Sequence, residues 1–481
     1  MKQFRLSIIL LLTILAACKV QHNPSPKSRV ELPAEYEGLV TDSLGNSSQV
    51  FWEDFFQDEY LKQLITLALR NNQDNQITLE KVKAARSTML QAKSSLLPGF
   101  SLGAGASQRK FGEYTMDGVG NNDTNFSEFV PEDKQIPDPY PDFFLNAQFG
   151  WEIDVWGKLR NRKKAGVARY LASQEMSRHV RTWLIAEVAT AYYQLLALDQ
   201  ELHTLQEYID LQELALELII ELKESGRANQ LAIDQFEALS LNTKAKFQAK
   251  TRELKSLEFN LARLVGTLDF GSERTDLDSA IVIQKELLTG LPVELIKNRP
   301  DLREAELQLQ ASNADVNAAK AAFYPTINLR GIAGFNAFDF SKLFLAPAST
   351  MYQLGGGLTA PLFNRRAIQT MYQIAKADQR VALLEYEKKT LNAYLEVLDL
   401  INAMNTYDQQ LKTKQYEVAV LERGISNANT LFSVGYANYL EVINAQTRTL
   451  ESAIELADLK AARLQTNVQL YRALGGGWDL D

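Results

Sequence analysis

The sequence predicts a mixed fold of long helical hairpins and a few β-strands, built twice over. Three observations lead there. The second half repeats the first at fixed offsets; residues 158–225 contain no proline and space their leucines for helix packing; and the chain switches to two-residue alternation after Pro98 and Pro325.

The N-terminus is read as a targeting segment. Lys2 and Arg5 precede an apolar run from Leu6 to Leu15, too short to cross a bilayer, and small residues then lead to Cys18. Leu15, Ala16, Ala17 and Cys18 form a bacterial lipobox, so residues 1–17 are expected to be removed and Cys18 to carry a diacylglycerol. Lys19 rather than aspartate follows the cysteine, which in enterobacteria-like sorting favours the outer membrane. Residues 18–50 are expected to be a lipidated tether, proline-bearing and polar at its start. Cys18 is the only cysteine, so no disulfide forms within one chain. Losing Lys2 and Arg5 takes the formal charge from −8 to −10, which leaves no basic excess for nucleic acid. Past the signal no apolar run approaches the ~20 residues of a membrane helix, so any membrane crossing must be a β-barrel.

The duplication comes in two registers. Asn71, Asp74, Lys93 and Pro98 recur as Asn298, Asp301, Lys320 and Pro325, an offset of 227 (298 − 71). Gly226, Ala228, Asn229, Arg263 and Gly266 recur as Gly435, Ala437, Asn438, Arg472 and Gly475, an offset of 209 (435 − 226). The first copy thus holds 18 more residues (227 − 209) between positions 99 and 198, and residues 112–142, dense in Gly, Asn, Asp and Pro, are expected to be an irregular loop. The resulting boundaries are a first repeat over 51–270, an inter-repeat segment over 271–299, a second repeat over 300–477 and a tail over 478–481, each repeat holding a helix, two strands and a long helical hairpin.

Within each repeat a helix comes first, over about 59–97 and 300–323. Pro300, Asp301 and Glu304 suit a first helical turn, where proline gives up no needed donor and acids favour the dipole. Strands follow. Leu145, Ala147, Phe149, Trp151, Ile153 and Val155 alternate with Asn146, Gln148, Gly150, Glu152 and Asp154, and Ile327, Leu329, Gly331 and Ala333 alternate with Asn328 and Arg330. A soluble half-buried sheet alternates too; the lipobox, the ~10-residue strand length and Trp151 and Trp156 favour an outer-membrane barrel. Phe149, Trp151 and Ile153 are then expected to face lipid, and Gln148, Gly150 and Glu152 water. Four strands are too few for a closed barrel with a lumen, so oligomerisation is implied.

The hairpins close each repeat. Leu195, Leu198, Leu202, Leu205, Ile209, Leu216 and Ile219 follow three-four spacing, and Leu211, Leu214, Leu218 and Leu222 add a second stripe, as suits a helix with neighbours on both sides. Roughly 68 residues at ~1.5 Å each make a rod of about 100 Å. The chain turns at Gly226 and returns to about 265, and the same turn recurs at Gly435.

Three stretches carry a resemblance: Phe149–Arg160 (FGWEIDVWGKLR), Asn298–Glu306 (NRPDLREAE) with Ala322–Thr326 (AFYPT), and Val434–Val442 (VGYANYLEV). Together they resemble the outer-membrane efflux proteins, the TolC-like channels, and within them the lipoprotein branch serving resistance-nodulation-division pumps. The resemblance runs from about Trp52 to Gly477. It implies a fold of long helical hairpins forming a periplasmic α-barrel, plus four transmembrane β-strands per chain contributing to a trimeric twelve-stranded β-barrel. It also implies a homotrimer, an inner-membrane pump, a periplasmic adaptor and outer-membrane lipid as partners, with no nucleic acid, and passive conduction through the lumen. Pro98, Trp156, Gly157, Pro325 and Pro361 fall where barrel meets helices. The tips at Gly226 and Gly435, with Arg227 and Phe432 beside them, are candidates for the periplasmic gate. In such channels acidic residues at the closed end ring the pore and favour cations. Glu441 takes an often acidic position there, while Asn444 stands where many relatives carry aspartate; on its own terms Glu441 could equally be a solvated helix-face residue.

No catalytic constellation is visible, and no enzyme activity, cofactor or metal is expected. His22, His179 and His203 are not at metal-ligand spacing, the seven methionines are scattered, and Gly355–Gly357 and Gly475–Gly477 lack the lysine of a phosphate loop. Two alternatives remain open to the sequence: the exit duct of a type I protein secretion system, and a periplasmic coiled-coil scaffold lipoprotein without a pore.

Overall fold

A computed structural model describes residues 24, 26, 28–33, 36, 50–268, 273–282, 292–363 and 366–478. Cys18, the signal and most of the tether lie outside the described residues. The chain divides into two compact units, one built on Ala85–Tyr170 and Gln308–Ala382, the other on Lys27–Ala84, Leu171–Leu307 and Leu383–Asp481.

In chain order the helices are α1 (Trp52–Phe55), α2 (Glu59–Asn71), α3 (Gln73–Ser94), α4 (Met116–Asn125), α5 (Lys158–Glu224), α6 (Gln230–Val265), α7 (Leu277–Val282), α8 (Leu295–Asn298), α9 (Pro300–Ala321), α10 (Ala367–Ser433) and α11 (Tyr439–Ala473). The strands are β1 (Gly99–Arg109), β2 (Tyr140–Ile153), β3 (Thr326–Ala337) and β4 (Thr350–Thr359).

The first unit carries the sheet. Its strands pair antiparallel in the order β1-β2-β3-β4, with Gly99 opposite Gly150, Gly150 opposite Arg330 and Arg330 opposite Gly355. The outer edges of β1 and β4 pair with no strand among the described residues. Between β1 and β2 the structure departs from the expected irregular loop, because a ten-residue helix, α4, forms inside it. Thr115 caps it, accepting from the Gly118 amide, and Asn125 fixes its far end by exchanging two hydrogen bonds with Ile136, at 2.7 and 2.8 Å. Short polar side chains that read as loop formers serve here as a cap and a brace.

The second unit is helical. Its largest core cluster gathers Leu61 and Ile65 of α2, Tyr192 and Leu195 of α5, Val265 of α6 and Leu464 of α11, with Phe55 stacked on Tyr471 at 4.1 Å. Asp58 starts α2 by accepting from the amides of Tyr60 and Leu61, and its other oxygen accepts from the Tyr192 hydroxyl at 2.7 Å. A cap is thereby tied to the core.

The expected single helix over 59–97 is two helices. Asn72 breaks it with extended ψ, because its side chain is engaged elsewhere: Nδ2 donates to the Leu264 carbonyl at 2.9 Å and Oδ1 accepts from the Asn75 amide. Arg299 interrupts α8 and α9 at the matching place and donates from Nη1 to the Ala473 carbonyl at 3.0 Å. Leu264 and Ala473 are themselves 209 apart (473 − 264). One helix junction therefore occurs twice, with an amide in one copy and a guanidinium in the other. The glycines at these junctions are held alike: a Cβ on Gly266 would lie 2.6 Å from the Asn71 carbonyl, and one on Gly475 2.6 Å from that of Asn298, and both have positive φ.

Candidate channel lining and hairpin tips

The two faces of the sheet differ in chemistry. Side chains alternate along each strand, and the register brings like residues together. One face collects Phe100 and Leu102 of β1, Phe149, Trp151 and Ile153 of β2, Leu329 of β3 and Leu354 and Leu358 of β4, of which Phe100, Leu102 and Leu354 are highly exposed. The opposite face collects Ser101, Gln148, Asn328, Arg330, Gln353 and Thr359 around a concavity of about 800 Å³. Gly150 opens onto that concavity, and Glu152 shares its face. Two acids here are engaged: Glu152 pairs with Lys158 at 2.5 Å, and Asp142 accepts from Asn336 Nδ2 at 2.6 Å.

At the strand ends the chain turns into helix. Pro98 and Pro325 immediately precede β1 and β3, where a missing amide donor removes no ladder bond, and Pro361 lies exposed just past β4. Trp151 sits two residues from the end of β2 and donates from Nε1 to the Leu96 carbonyl at 3.0 Å. Trp156 donates to the Pro325 carbonyl at 2.6 Å and stacks on Tyr324. Gly157, at φ +80, lets α5 start, and Asp154 caps it by accepting from the amides of Leu159 and Arg160. The two-residue alternation through Asp154 hides this cap in the sequence, where its signal is an acid a few residues ahead of a long helix.

The hairpin tips are built on one plan. Gly226 (φ +75) and Gly435 (φ +81) reverse the chain, and the amides of Arg227 and Tyr436 donate back to Leu222 and Leu431, each at 2.8 Å. Asn229 and Asn438 then cap the returning helices. Glu441 completes a capping box: its amide donates to Asn438 Oδ1 while its own carboxylate accepts from the Asn438 amide at 3.1 Å. Its side chain is exposed, as is that of Asn444 one turn on, and Arg448 follows on that exposed face. Phe432 lies differently from the others. It packs with Ile219, Phe236 and Val442 in the cluster that joins the two hairpins near their tips, while Arg227 is exposed.

Two of the places where the helical unit buries charge lie at Arg299 and Glu201. Arg299 forks onto Asp301, at 2.9 Å, and pairs with Glu396, at 2.7 Å; Glu396 is also bound by Arg472. Burial pushes the Asp301 carboxyl up, but Arg299 more than offsets it and holds it below the usual range. Burial also depresses the neighbouring His179, which Asp301 partly restores. The second place is Glu201, wholly buried and paired with Lys250 at 2.7 Å. Burial, then the nearby Asp458 against the opposing pull of Lys250, pushes its carboxyl up to about 7. Among the described residues no group of three or more His, Cys, Asp or Glu is placed to hold a metal ion, and no helix is long and apolar enough to cross a membrane.

A family model described as outer membrane efflux protein matches residues 64–267 and 291–476, in two segments. The cation efflux system protein CusC of Escherichia coli O6:H1 is 30% identical, with 92% of this chain and 91% of that protein covered. A probable efflux pump outer membrane protein, SepC of Pseudomonas putida, is 28% identical over 92% of this chain and 88% of its own length. A pyoverdine export outer membrane protein, OpmQ, also from Pseudomonas putida, is 29% identical over 90% and 89%. Among solved structures, CusC superposes with a TM-score of 0.80 at 26% identity, covering 96% of this chain and 99% of that one. The open-state outer membrane channel MtrE of Neisseria gonorrhoeae gives 0.83 at 21%, covering 96% and 99%, a likeness of fold.

Proposed function

The chain belongs to the outer membrane efflux protein family, a family of channel and transport proteins, and serves as an outer-membrane efflux channel; we propose that three copies close one barrel and conduct passively what an inner-membrane pump and a periplasmic adaptor deliver. The observation that supports this best is the sheet. One face is apolar and exposed, the other polar and concave, and neither outer edge pairs with a strand among the described residues. An open edge does not survive in hydrocarbon, because its amides and carbonyls have no water to bond. Three copies of four strands give twelve, enough for a lumen wider than the filled interior of an eight-stranded barrel.

The helical unit supports the same reading. Leu214, Leu218, Leu241, Leu391 and Leu395 stand exposed on helices of a single chain, as befits sides that meet neighbouring copies. A scaffold without a pore would need neither the apolar sheet face nor the open edges. Cys18 is proposed as the lipid anchor, a second hold on the membrane beside the barrel. Phe149, Trp151 and Ile153 are proposed to face lipid. The tips at Gly226 and Gly435 are proposed as the periplasmic closure, with Glu441 from three copies giving it negative charge and Arg227, Phe432 and Asn444 beside it.

Light scattering of the detergent-solubilised protein together with planar-bilayer recording tests this. A mass of three chains and discrete conductance steps are expected; a monomer that never conducts would overturn it.

A further inference from the structure

Mid-way along the polar face of the sheet, Arg330 is a charge with no counter-charge paired to it among the described residues. Arg330 lies mid-way along β3 with its side chain exposed toward the concavity, and that side chain has no hydrogen-bond or ion-pair partner among the described residues. Its cross-strand neighbours are both glycine, Gly150 on β2 and Gly355 on β4, and Gly99 and Gly357 follow on the same face. A Cβ built on Gly150, Gly355 or Gly357 would meet nothing within 4 Å, so the space around the guanidinium is open on both flanking strands. The nearest acid on this face is Glu152, a diagonal neighbour that Lys158 already engages at 2.5 Å.

The polar side chains that line the concavity beside Arg330 are neutral, and Gln148 Nε2 and Asn328 Nδ2, which each donate once within the sheet, to Asn146 Oδ1 and Thr326 Oγ1, keep a second N–H. Ser101, Gln148, Asn328 and Gln353 line the same concavity. A lone arginine in water needs no partner, and exposure alone would say nothing. The cleared space, the ring of hydroxyl and amide donors and the prior engagement of the nearest carboxylate together describe a receptor for an oxyanion, since a guanidinium presents two parallel N–H donors to a carboxylate, phosphate or sulfate.

We propose that Arg330, with Ser101, Gln148, Asn328 and Gln353, forms an oxyanion-binding site on the wall of the sheet. The site lies within one chain; that it faces a lumen, and recurs three times at one height there, rests on the barrel reading. The barrel section then favours anionic groups, opposite in sign to the ring proposed at Glu441.

Calorimetric titration of the detergent-solubilised full chain with inorganic tripolyphosphate tests the site, and light scattering on the same sample reports assembly separately. The expected result is one site per chain, weakened about tenfold in Arg330→Gln, the loss of one charge-assisted hydrogen-bonding group. Arg330→Lys should fall between, since it keeps the charge and loses the fork. Gly355→Glu, which fits the open space and sets a carboxylate beside the guanidinium, should weaken binding as much as Arg330→Gln. Identical isotherms for wild type and Gly355→Glu would overturn the site whatever the folding of the Arg330 variants. A monomer that still binds would overturn the barrel reading and leave the site standing.

Discussion

Glu441 carries two duties in this account, and two substitutions separate them. As a capping-box residue it accepts from the Asn438 amide, a duty that glutamine also performs; as a member of a charged ring it needs its carboxylate. Glu441→Gln should therefore leave the melting temperature unchanged and lower cation selectivity in planar bilayers, whereas Glu441→Ala should also destabilise the second hairpin by about 1 kcal/mol. Asn444→Asp should raise selectivity. Unchanged selectivity in both Glu441→Gln and Asn444→Asp would move the closure elsewhere on the hairpins. Glu201 gives a pH dependence whose sign is fixed. Its folded-state carboxyl lies above its ordinary value, so folding takes up a proton between about 4.5 and about 7, and stability falls as pH rises through that window. Glu201→Gln should flatten the melting temperature across pH 5–8; an unaltered slope would show that another group sets it. The gate residues were legible only through resemblance, since nothing in the spacing of Glu441 distinguishes a ring from a cap. Glu201 was not legible at all, because Lys250 and Asp458 reach it from other helices.

Among the elements, the strands follow closely from the sequence. Period-two alternation in residues 145–153 and 327–333 becomes β2 and β3 with the apolar set on one face, since a slip of one residue would reverse every side chain, whereas Asp154 and Val155, read as continuing the alternation, lie past the end of β2. β1, rich in glycine and serine, has a weaker alternation and was not singled out. Depth along the strand was also hidden. Trp151 lies near the end of β2 and bonds Leu96, so arginine there should cost little, about 0–1 kcal/mol, whereas arginine at the central apolar-face residue Ala147 should cost about 2–4 kcal/mol. Refolding equilibria in lipid vesicles would show this ordering, and an equal cost at both positions would contradict it. The helix break at Asn72 escaped the sequence for a different reason: the carbonyl that holds it belongs to Leu264, 192 positions away. Its counterpart at Arg299 announced itself only because Pro300 follows. Gly266→Ala should accordingly be more damaging than Gly226→Ala. Both require positive φ, a strain of about 1–2 kcal/mol, but only Gly266 also faces a backbone carbonyl; thermal melting of the two variants decides.

At the scale of the molecule, the duplication was the most informative feature of the sequence, and it reappears as paired turns at Gly226 and Gly435 and paired junctions at Gly266 and Gly475. Position 18 and most of the tether lie outside the described residues, so the lipid anchor stands on the lipobox alone; mature protein beginning anywhere but Cys18 would remove it. What no single chain displays is closure. β1 and β4 each offer a bare edge, and strands paired across such an edge bring opposite Cα atoms to about 4.5–5.5 Å, within reach of a disulfide. Disulfide scanning between copies is therefore the most direct measurement: Leu102→Cys on β1 combined in turn with cysteine at Tyr352, Leu354, Gly356 and Leu358 on β4, oxidised in outer membranes and resolved on denaturing gels. The account predicts that at least one pairing converts monomer through dimer to a trimer and no further. Failure of every pairing to cross-link, or a ladder that stops at two or runs past three, would contradict it.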